Sequence, residues 1–261
     1  MTIGIMAAIH DEIAELIEAI TQQDKSQTHH IGMRDYYVGE LEGQACVLVL
    51  ARMGKVAASA TAVSLIREFG VSEILFSGLA GGLAEHVQVG DVVVADRLIQ
   101  HDMDARPFFP QHEIPLLGVT EFVVSQSLRE ELQTATRGFF KHDLAKKISA
   151  EKLAQFGLTK PDLHVGMIAS GDQFIGSETE VARLRKTLPT ALAVEMEGAA
   201  VAQICHEHAV PCAILRTISD RADSEAHIDF NQFLVGVASH YSCGIMRRFL
   251  ANRTRVNNSL A

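Results

Sequence analysis

Residues 191–220 constrain the fold more than any other part of the chain. An apolar run ends at Val194, a helix-like segment covers 199–210, and a second apolar run ends at Leu215. A strand, a helix and a second strand in this order predict a right-handed crossover between parallel strands. Such a unit is typical of α/β domains, in which helices cover a sheet.

Acidic side chains follow both of these apolar runs. Glu195 and Glu197 come after the first run, and Asp220 closes the segment that begins at Arg216. If both strands point the same way, Glu197 and Asp220 emerge at the carboxyl edge of the sheet, where open α/β sheets bind ligands. Carboxylates there are costly to desolvate unless they are paired or functional. Acids at strand ends are also common as solvated loop residues, so the geometry alone leaves both interpretations open.

Strands and helices alternate through most of the chain without a linker rich in Pro, Gly or Ser. This pattern predicts one α/β domain with a mixed sheet over residues 1–251. Predicted strands cover 3–9, 36–41, 45–50, 73–76, 91–95, 163–169, 191–194 and 213–218, with a hairpin at 42–44. Predicted helices cover 54–69, which Gly70 ends, then 199–210 and an amphipathic segment within 229–250.

The stretch 117–161 and the C-terminal tail have weaker patterns. We expect helices near 125–135 and 150–155, with a charged loop between them. Residues 252–261 are expected to form a frayed tail.

Composition and charge exclude several kinds of partner. Hydrophobic residues make up 48% and charged residues 21% of the 261 residues, as in ordinary globular proteins. The formal net charge is -9 and no basic stripe stands out, which argues against nucleic-acid or membrane partners. The N-terminal segment is too short and too acidic for a signal peptide or membrane span. Four cysteines without a CxxC pair favour a cytoplasmic location.

Several other runs contain residue types that are typical of nucleotide binding, metal binding or serine hydrolysis, but their spacing does not match the motifs of those functions. The glycine-rich run 76–83 matches neither GxGxxG nor the P-loop pattern, so it indicates a tight turn. The runs 101–104 (HDMD) and 205–208 (CHEH) lack zincin spacing. No GxSxG elbow is present, which argues against a Ser/His/Asp hydrolase. We therefore expect no metal, and no dinucleotide or NTP cofactor.

A set of short motifs in a fixed order carries a family resemblance. They are Ile3-Gly4-Ile5 with Glu12, Gly78/Gly81/Gly82, Val89-Gly90-Asp91, His101-Asp102, the run SGDQFI at 170–175, Glu195-Met196-Glu197 and Ile218-Ser219-Asp220. In these motifs the chain resembles the bacterial 5'-methylthioadenosine/S-adenosylhomocysteine nucleosidases of the purine nucleoside phosphorylase superfamily. The resemblance covers 2–233 apart from 117–161. It implies a three-layer α/β/α domain around a mixed, partly barrel-like sheet, and a homodimer.

The resemblance also implies an activity and its catalytic residues. The reaction is hydrolysis of the N-glycosidic bond of methylthioadenosine, S-adenosylhomocysteine and 5'-deoxyadenosine, with release of adenine. Asp220, oriented by Ser219, resembles the acid that protonates adenine N7, and Glu197 the carboxylate that grips the ribose hydroxyls. Glu12 resembles the base that activates water, and Arg216 would lie beside that water and keep neighbouring carboxylates ionised. An acid and a base on opposite sides follow the two-carboxylate logic of glycoside hydrolysis.

Further residues belong to the substrate pocket by the same resemblance. Phe174 would stack on adenine, the Ile175 backbone would hydrogen-bond its edge, and Met196 would lie under the ribose. The other pocket residues are Ala8, Ile9, Met53, Leu79, Gly81, Glu195 and Phe230, with Ala105, Phe108 and Pro115 supplied by the partner subunit. Core packing explains Ile9 and Met53 equally well.

Departures from the family pattern affect the expected specificity. Leu79 stands where some members carry a serine near the ribose, and Pro107 falls inside the segment expected to cross the dimer interface. The stretch 117–161 is longer than in compact members. These departures leave the reaction intact and the preferred 5'-substituent open.

The rival activities differ in the nucleophile they need. A phosphorolytic purine nucleoside phosphorylase requires a phosphate pocket with arginine donors. The first strand instead leads to Glu12, and no arginine precedes Arg34. A carboxylate beside the nucleophile repels phosphate and suits water, so hydrolysis is favoured. Futalosine or aminofutalosine hydrolysis and a nucleoside-binding protein on the same fold remain alternatives.

Overall fold

Alternating strands and helices build the fold. The structure is a computed structural model that describes residues 1–158, 160–221 and 233–260. Within these residues the strands are β1 Ile3–Ala7, β2 Gln27–Ile31, β3 Arg34–Leu41, β4 Gln44–Leu50, β5 Glu73–Gly82, β6 Val92–Gln100, β7 Glu121–Val123, β8 Leu163–Ser170, β9 Ala191–Glu195 and β10 Cys212–Asp220. The helices are α1 Ala14–Thr21, α2 Lys55–Glu68, α3 Gln126–His142, α4 Leu144–Lys147, α5 Ala150–Gln155, α6 Glu178–Thr187, α7 Gly198–Glu207 and α8 Ser239–Leu260. A 3₁₀ turn, His10–Glu12, follows β1, and a π-helical turn, Leu234–Ala238, precedes α8.

Part of the sheet closes into a barrel. Going round it, β5 pairs parallel with β10, β10 antiparallel with β6, and β6 parallel with β8. β8 pairs parallel with β9, and β9 pairs antiparallel with the end of β5. Beyond the barrel, β1 pairs with β5, and β4, β3 and β2 extend the sheet outward. The mixed, partly barrel-like sheet expected from the sequence is confirmed.

Helices cover the sheet in two layers. Successive side chains of a strand point to opposite faces, so Ile3 and Ile5 of β1 pack in one core and Met6 in the other. The first core also holds the apolar faces of α1, α3 and α8, and the second those of α2 and α7. Serine caps begin several of the other helices, as at Ser125 before α3 and Ser177 before α6.

The expected parallel relation between β9 and β10 is wrong. β5 lies between them and runs parallel to β10 but antiparallel to β9, so β9 and β10 point in opposite directions. Gly81 of β5 pairs with Asp220 on one side and with Val194 on the other. The two acidic segments therefore meet across the end of β5 and not at one carboxyl edge.

The glycine-rich run is also not a turn. Residues 76–82 belong to β5, which is buried along its whole length. The glycines serve close approach: a Cβ on Gly78 would lie 2.6 Å from Arg216 Nη1. The extension of β5 through these glycines is not predicted from the sequence, because glycine is normally unfavourable inside strands.

The C-terminal half contains more helix than expected. α3 continues to His142 and α4 follows at once, so most of the expected charged loop is helical. Residues 252–260 of the expected frayed tail belong to α8, which extends to Leu260, and Arg253 pairs with Glu131 and Glu73. Across the described ranges, we find no helix with the length and apolar character needed to span a bilayer.

Candidate active site

A cavity of about 620 Å³, including its open mouth, lies where β1, β5, β9 and β10 converge. This size and its mixed lining are typical of small-molecule sites. Its walls are formed by Ala8, Ile9, Glu12, Met53, Leu79, Ala80, Gly81, Gln173, Phe174, Ile175, Val194, Glu195, Met196, Glu197, Arg216, Ser219 and Asp220. All the catalytic and substrate-binding residues that the resemblance assigns to the same subunit line this cavity. Phe230 is the exception, because it lies outside the described residues.

Glu12 is held at the end of β1 by backbone donors. The 3₁₀ turn folds its carboxylate back, so Oε2 accepts hydrogen bonds from the Ala8 and Ile9 amides at 3.0 Å each. Oε1 accepts a third, also 3.0 Å, from the Leu79 amide of β5. Burial raises the pKa of Glu12 above its usual value, although Arg216 and these amides oppose the shift. The position suits a base that takes a proton near neutral pH.

Glu195 and Arg216 form a buried ion pair at the floor of the cavity. Arg216 Nε donates to Glu195 Oε2 at 3.1 Å, and Nη2 makes a second, shorter contact with the same oxygen. Ser170 and the amides of Glu197 and Gly198 donate to the remaining positions of this carboxylate. Because its oxygens are taken up by protein donors, Glu195 acts mainly by holding Arg216 and the start of α7.

An aromatic ring also packs against the guanidinium of Arg216. Its central carbon lies 4.1 Å from the centroid of Phe76, a favourable cation–π distance. Nη1 is buried without a hydrogen-bond partner in the described part of the chain. The Cβ position of Gly78 lies 2.6 Å from this nitrogen and 3.0 Å from Glu12 Oε1. Glycine at residue 78 therefore lets the arginine and Glu12 approach the same stretch of backbone.

Glu197 is a buried carboxyl whose pKa is strongly raised. Burial, with a smaller contribution from Glu195, raises the pKa of Glu197 to about 7, against the opposing effect of Arg216. Its Oε1 accepts a 2.8 Å hydrogen bond from the Gly54 amide, and Oε2 lies 3.7 Å from Arg216 Nη2. The positive charge of Arg216 lowers the pKa of both Glu12 and Glu197, but burial has the larger effect at each of them.

Ser219 and Asp220 lie at the end of β10 and line the same cavity. The Ser219 hydroxyl donates to Asp220 Oδ2 at 2.7 Å. Both side chains are buried. This contact is the one that an orienting role for Ser219 requires, and it leaves Asp220 facing the cavity that it lines.

Apolar side chains form the cavity mouth. Ile175 is buried, whereas Phe174 is 42% and Met53 65% exposed. Gln173, Ala80 and Val194 also line the cavity and were not anticipated. Gln173 could have been found from its place beside Phe174, but Ala80 and Val194 carry no chemical signal in the sequence. The Gly54 amide is likewise invisible to motif reading because its donor is a backbone group.

The residues expected from a partner subunit lie elsewhere on this chain. Ala105, Phe108 and Pro115 are absent from the cavity lining, and Phe108 is 86% exposed. In the described residues, no cluster of three or more His, Cys, Asp or Glu side chains is arranged to hold a metal ion.

Comparisons with known proteins agree with this geometry. A family model described as the phosphorylase superfamily matches residues 2–251. The 5'-methylthioadenosine/S-adenosylhomocysteine nucleosidase of Mycobacterium tuberculosis is 35% identical over 259 residues, which cover 96% of this chain and 97% of that protein. The aminodeoxyfutalosine nucleosidase of Helicobacter pylori is 34% identical over 89% of this chain and 90% of its own.

A solved structure shows the same fold with an inhibitor. The 5'-methylthioadenosine/S-adenosylhomocysteine nucleosidase of Neisseria meningitidis, in complex with methylthio-immucillin-A, superimposes with a TM-score of 0.82 at 32% identity. The match covers 96% of this chain and 99% of that one.

Proposed function

The chain belongs to the phosphorylase superfamily, and on that premise we propose that it is a nucleosidase that hydrolyses 5'-methylthioadenosine and S-adenosylhomocysteine. One observation carries the choice of water over phosphate as nucleophile. Among the described residues that line the cavity, Arg216 is the one cation; Glu195 holds its Nε and Nη2, and Glu12 and Glu197 lie beside it. A phosphate anion there would meet three carboxylates, whereas a neutral water can give its proton to a carboxylate base.

The proposed reaction assigns one proton transfer to each side of the sugar. Asp220 donates a proton to N7 of adenine as the C1'–N9 bond breaks, and the bonding electrons leave with the neutral purine. Positive charge develops on the ribose, where ionised Glu197 accepts hydrogen bonds from the hydroxyls and stabilises that charge. Glu12 removes a proton from water as its oxygen attacks C1'. The products are adenine and the 5'-thio-substituted ribose.

Adenine release from methylthioadenosine in phosphate-free buffer tests this proposal. We expect adenine and free methylthioribose at a rate that added phosphate does not increase. A requirement for phosphate together with a sugar 1-phosphate product would establish a phosphorylase instead. Tight nucleoside binding without any product would establish a binding protein.

Hydrolysis of aminodeoxyfutalosine is a second candidate activity. It is favoured by the similarity to the Helicobacter pylori aminodeoxyfutalosine nucleosidase, which is 34% identical over 89% of this chain. The ratio of kcat/KM between methylthioadenosine, S-adenosylhomocysteine, 5'-deoxyadenosine and aminodeoxyfutalosine decides the ranking.

We further propose a homodimer in which each subunit completes the other's cavity. Large apolar side chains are exposed on the α2 start and on the 104–116 segment, namely Met53, Val56, Phe108 and Leu116. Exposed apolar groups of this size mark interaction surfaces. Sedimentation equilibrium should give twice the chain mass, and a monomer at micromolar concentration would exclude the shared cavity.

Four unpaired, buried cysteines support a reducing, cytoplasmic location.

A further inference from the structure

Three polar residues beside the cavity form a closed ring of hydrogen bonds. The Lys55 amide donates to Asp172 Oδ1 at 2.7 Å, and the Asp172 amide donates to Asp102 Oδ2 at 2.9 Å. The Lys55 ammonium closes the ring by donating to Asp102 Oδ1 at 2.6 Å. The three residues come from the start of α2, the segment after β6 and the segment after β8, so the ring joins parts of the chain that are distant in sequence.

The ring lies between the two halves of the proposed substrate site. Asp172 begins the run that continues through Gln173, Phe174 and Ile175, which line the cavity on the side proposed for the purine. On the other side, Gly54 precedes Lys55 and donates its amide to Glu197. The consecutive amides of Gly54 and Lys55, at the start of α2, therefore donate to two carboxylates. One is Glu197, which is proposed to bind the sugar, and the other is Asp172, which begins the segment proposed to bind the purine.

The side chains of the ring are better protected from water than a surface ion pair. Lys55 and Asp102 are 16% and 30% exposed, against 44% and 34% for the pair of Lys147 with Glu15 on the outer surface. Burial alone would raise the pKa of Asp102, but the hydrogen bonds from Lys55 and the Asp172 amide, together with the positive charge of Lys55, outweigh it and keep that pKa below its usual value. Asp102 is thus ionised at neutral pH and available as an acceptor.

The ammonium of Lys55 has a second anchor. It donates to Gln100 Oε1 at 3.0 Å, and Gln100 in turn donates to Gln203 of α7 at 2.7 Å. The lysine is therefore fixed by the end of β6 and by α7, both of which belong to the rigid core of the fold. A cation fixed in this way can hold Asp102, and through it the amide of Asp172, in one position.

We infer that Lys55 and Asp102 are positioning residues that hold the purine-binding segment 172–175 in register with the sugar-binding carboxylate Glu197. This inference rests on the proposed function for its consequence in catalysis. The Lys55 ammonium, which a substitution of this residue removes, acts on the segment only through Asp102, whereas Asp102 accepts the Asp172 amide directly. The groups proposed to act in the transition state, Glu12 and Asp220, are held by other contacts.

A double-mutant cycle tests the order of action. Asp102→Ala should raise KM for methylthioadenosine about tenfold, the effect of one hydrogen bond to a charged group, and lower kcat less than about threefold. Lys55→Met should raise KM in the same way, and Lys55→Arg should restore most of it. The double variant should be no worse than Asp102→Ala alone. Lys147→Met is the matched control and should leave both constants unchanged.

Amide hydrogen exchange supplies a readout that does not depend on activity. In Asp102→Ala and Lys55→Met, but not in Lys147→Met, the amides of 172–175 should exchange about tenfold faster at an unchanged melting temperature. Unchanged exchange, or losses in KM that simply add in the double variant, would overturn the inference. If the wild-type protein releases no adenine, the proposed function fails, and the exchange experiment still decides whether the ring holds the segment.

Discussion

Three carboxylates, Glu12, Glu195 and Glu197, surround one buried arginine at the floor of the cavity. Arg216 forms its ion pair with Glu195, whereas burial disfavours the ionised forms of Glu12 and Glu197 and raises the pKa of both. The result is a site that takes up protons easily and favours a ligand on which positive charge develops. This is the electrostatic requirement for departure of a purine from ribose.

Glu197→Gln should make the protein more stable at neutral and alkaline pH. The pKa of Glu197 is about 7 in the folded protein and near the ordinary glutamate value of 4.5 in the unfolded chain. The folded state therefore binds the proton more tightly, and the wild type loses stability as pH rises from about 4.5 through 7. The advantage of the variant should grow over that window by up to about 3 kcal/mol. Urea unfolding at several pH values measures it.

The control for that series is Glu68→Gln, because Glu68 is an exposed carboxylate at the end of α2. It should show no such growth between acidic and neutral pH. A stability difference between Glu197→Gln and wild type that stays constant with pH would contradict the raised pKa of Glu197.

Asp220→Asn should abolish most turnover while the protein stays folded. The substitution keeps the size of the side chain and a group that can accept from Ser219, but removes the proton proposed for adenine N7. General acid catalysis contributes about 10²–10⁴-fold, so kcat should fall by that factor. Adenine release and thermal melting measured on the same preparation test it, and a kcat near that of the wild type would refute the acid assignment.

At the scale of elements, the sequence predicted local structure better than pairing. Apolar runs such as those of β4 and β8 predicted strands because buried strands need them. β2 was missed because it is a largely exposed edge strand with the polar sequence QTHHI. The antiparallel relation of β9 and β10 depends on β5, about 110 residues earlier in the chain, and no local pattern encodes it.

The candidate site was predictable from the family motifs and not from spacing alone. Glu12, Glu197 and Asp220 come from distant segments, and only the order of the motifs united them. The roles of Gly54 and of the Lys55–Asp102 pair were missed, since backbone donors and tertiary ion pairs leave no signature in a single sequence. The glycine run shows the same limit: its function is to admit Arg216.

Gly78→Ala tests that function of β5. The new methyl group would lie 2.6 Å from Arg216 Nη1, and the guanidinium cannot retreat because Glu195 and Phe76 hold it. Displacement of the arginine and of Glu12 should lower kcat by at least about 10²-fold, the effect of a misplacement near 1 Å. Steady-state kinetics measure the loss.

Gly82→Ala is the comparison within the same strand. Its Cβ would lie 3.3 Å from the nearest atom, a methyl of Ile218, and the next two atoms are the backbone oxygens of Val87 and Asp220 at 3.4 and 3.6 Å. We expect a small loss of stability and a nearly unchanged kcat. Equal effects of the two substitutions on kcat would show that β5 responds to any added side chain, and the specific role of Gly78 would fall.

At the scale of the whole molecule, the end of α8 ties together elements that the sheet alone does not connect. Arg253 donates to Glu131 of α3 and pairs with Glu73 at the start of β5. The next residue, Thr254, donates to the backbone carbonyl of Glu42, in the β3–β4 hairpin. Arg253 and Thr254, which belong to the tail expected to fray, therefore connect α8 to α3, to the start of β5 and to the β3–β4 hairpin.

Arg253→Met should destabilise the whole fold without changing the chemistry. Glu73 is a buried carboxylate, and the loss of its cation should cost about 2 kcal/mol, or about 5 °C in melting temperature for a chain of this size. Arg255→Met, two residues further on the same helix at an exposed position, is the matched control. Because the cavity is formed by other residues, kcat/KM at 25 °C should stay the same in both variants. Equal melting temperatures for the two would show that the α8 end does not fasten the layers, whereas a fall in kcat/KM for Arg253→Met alone would show that strain at the start of β5 reaches Gly78 and Leu79.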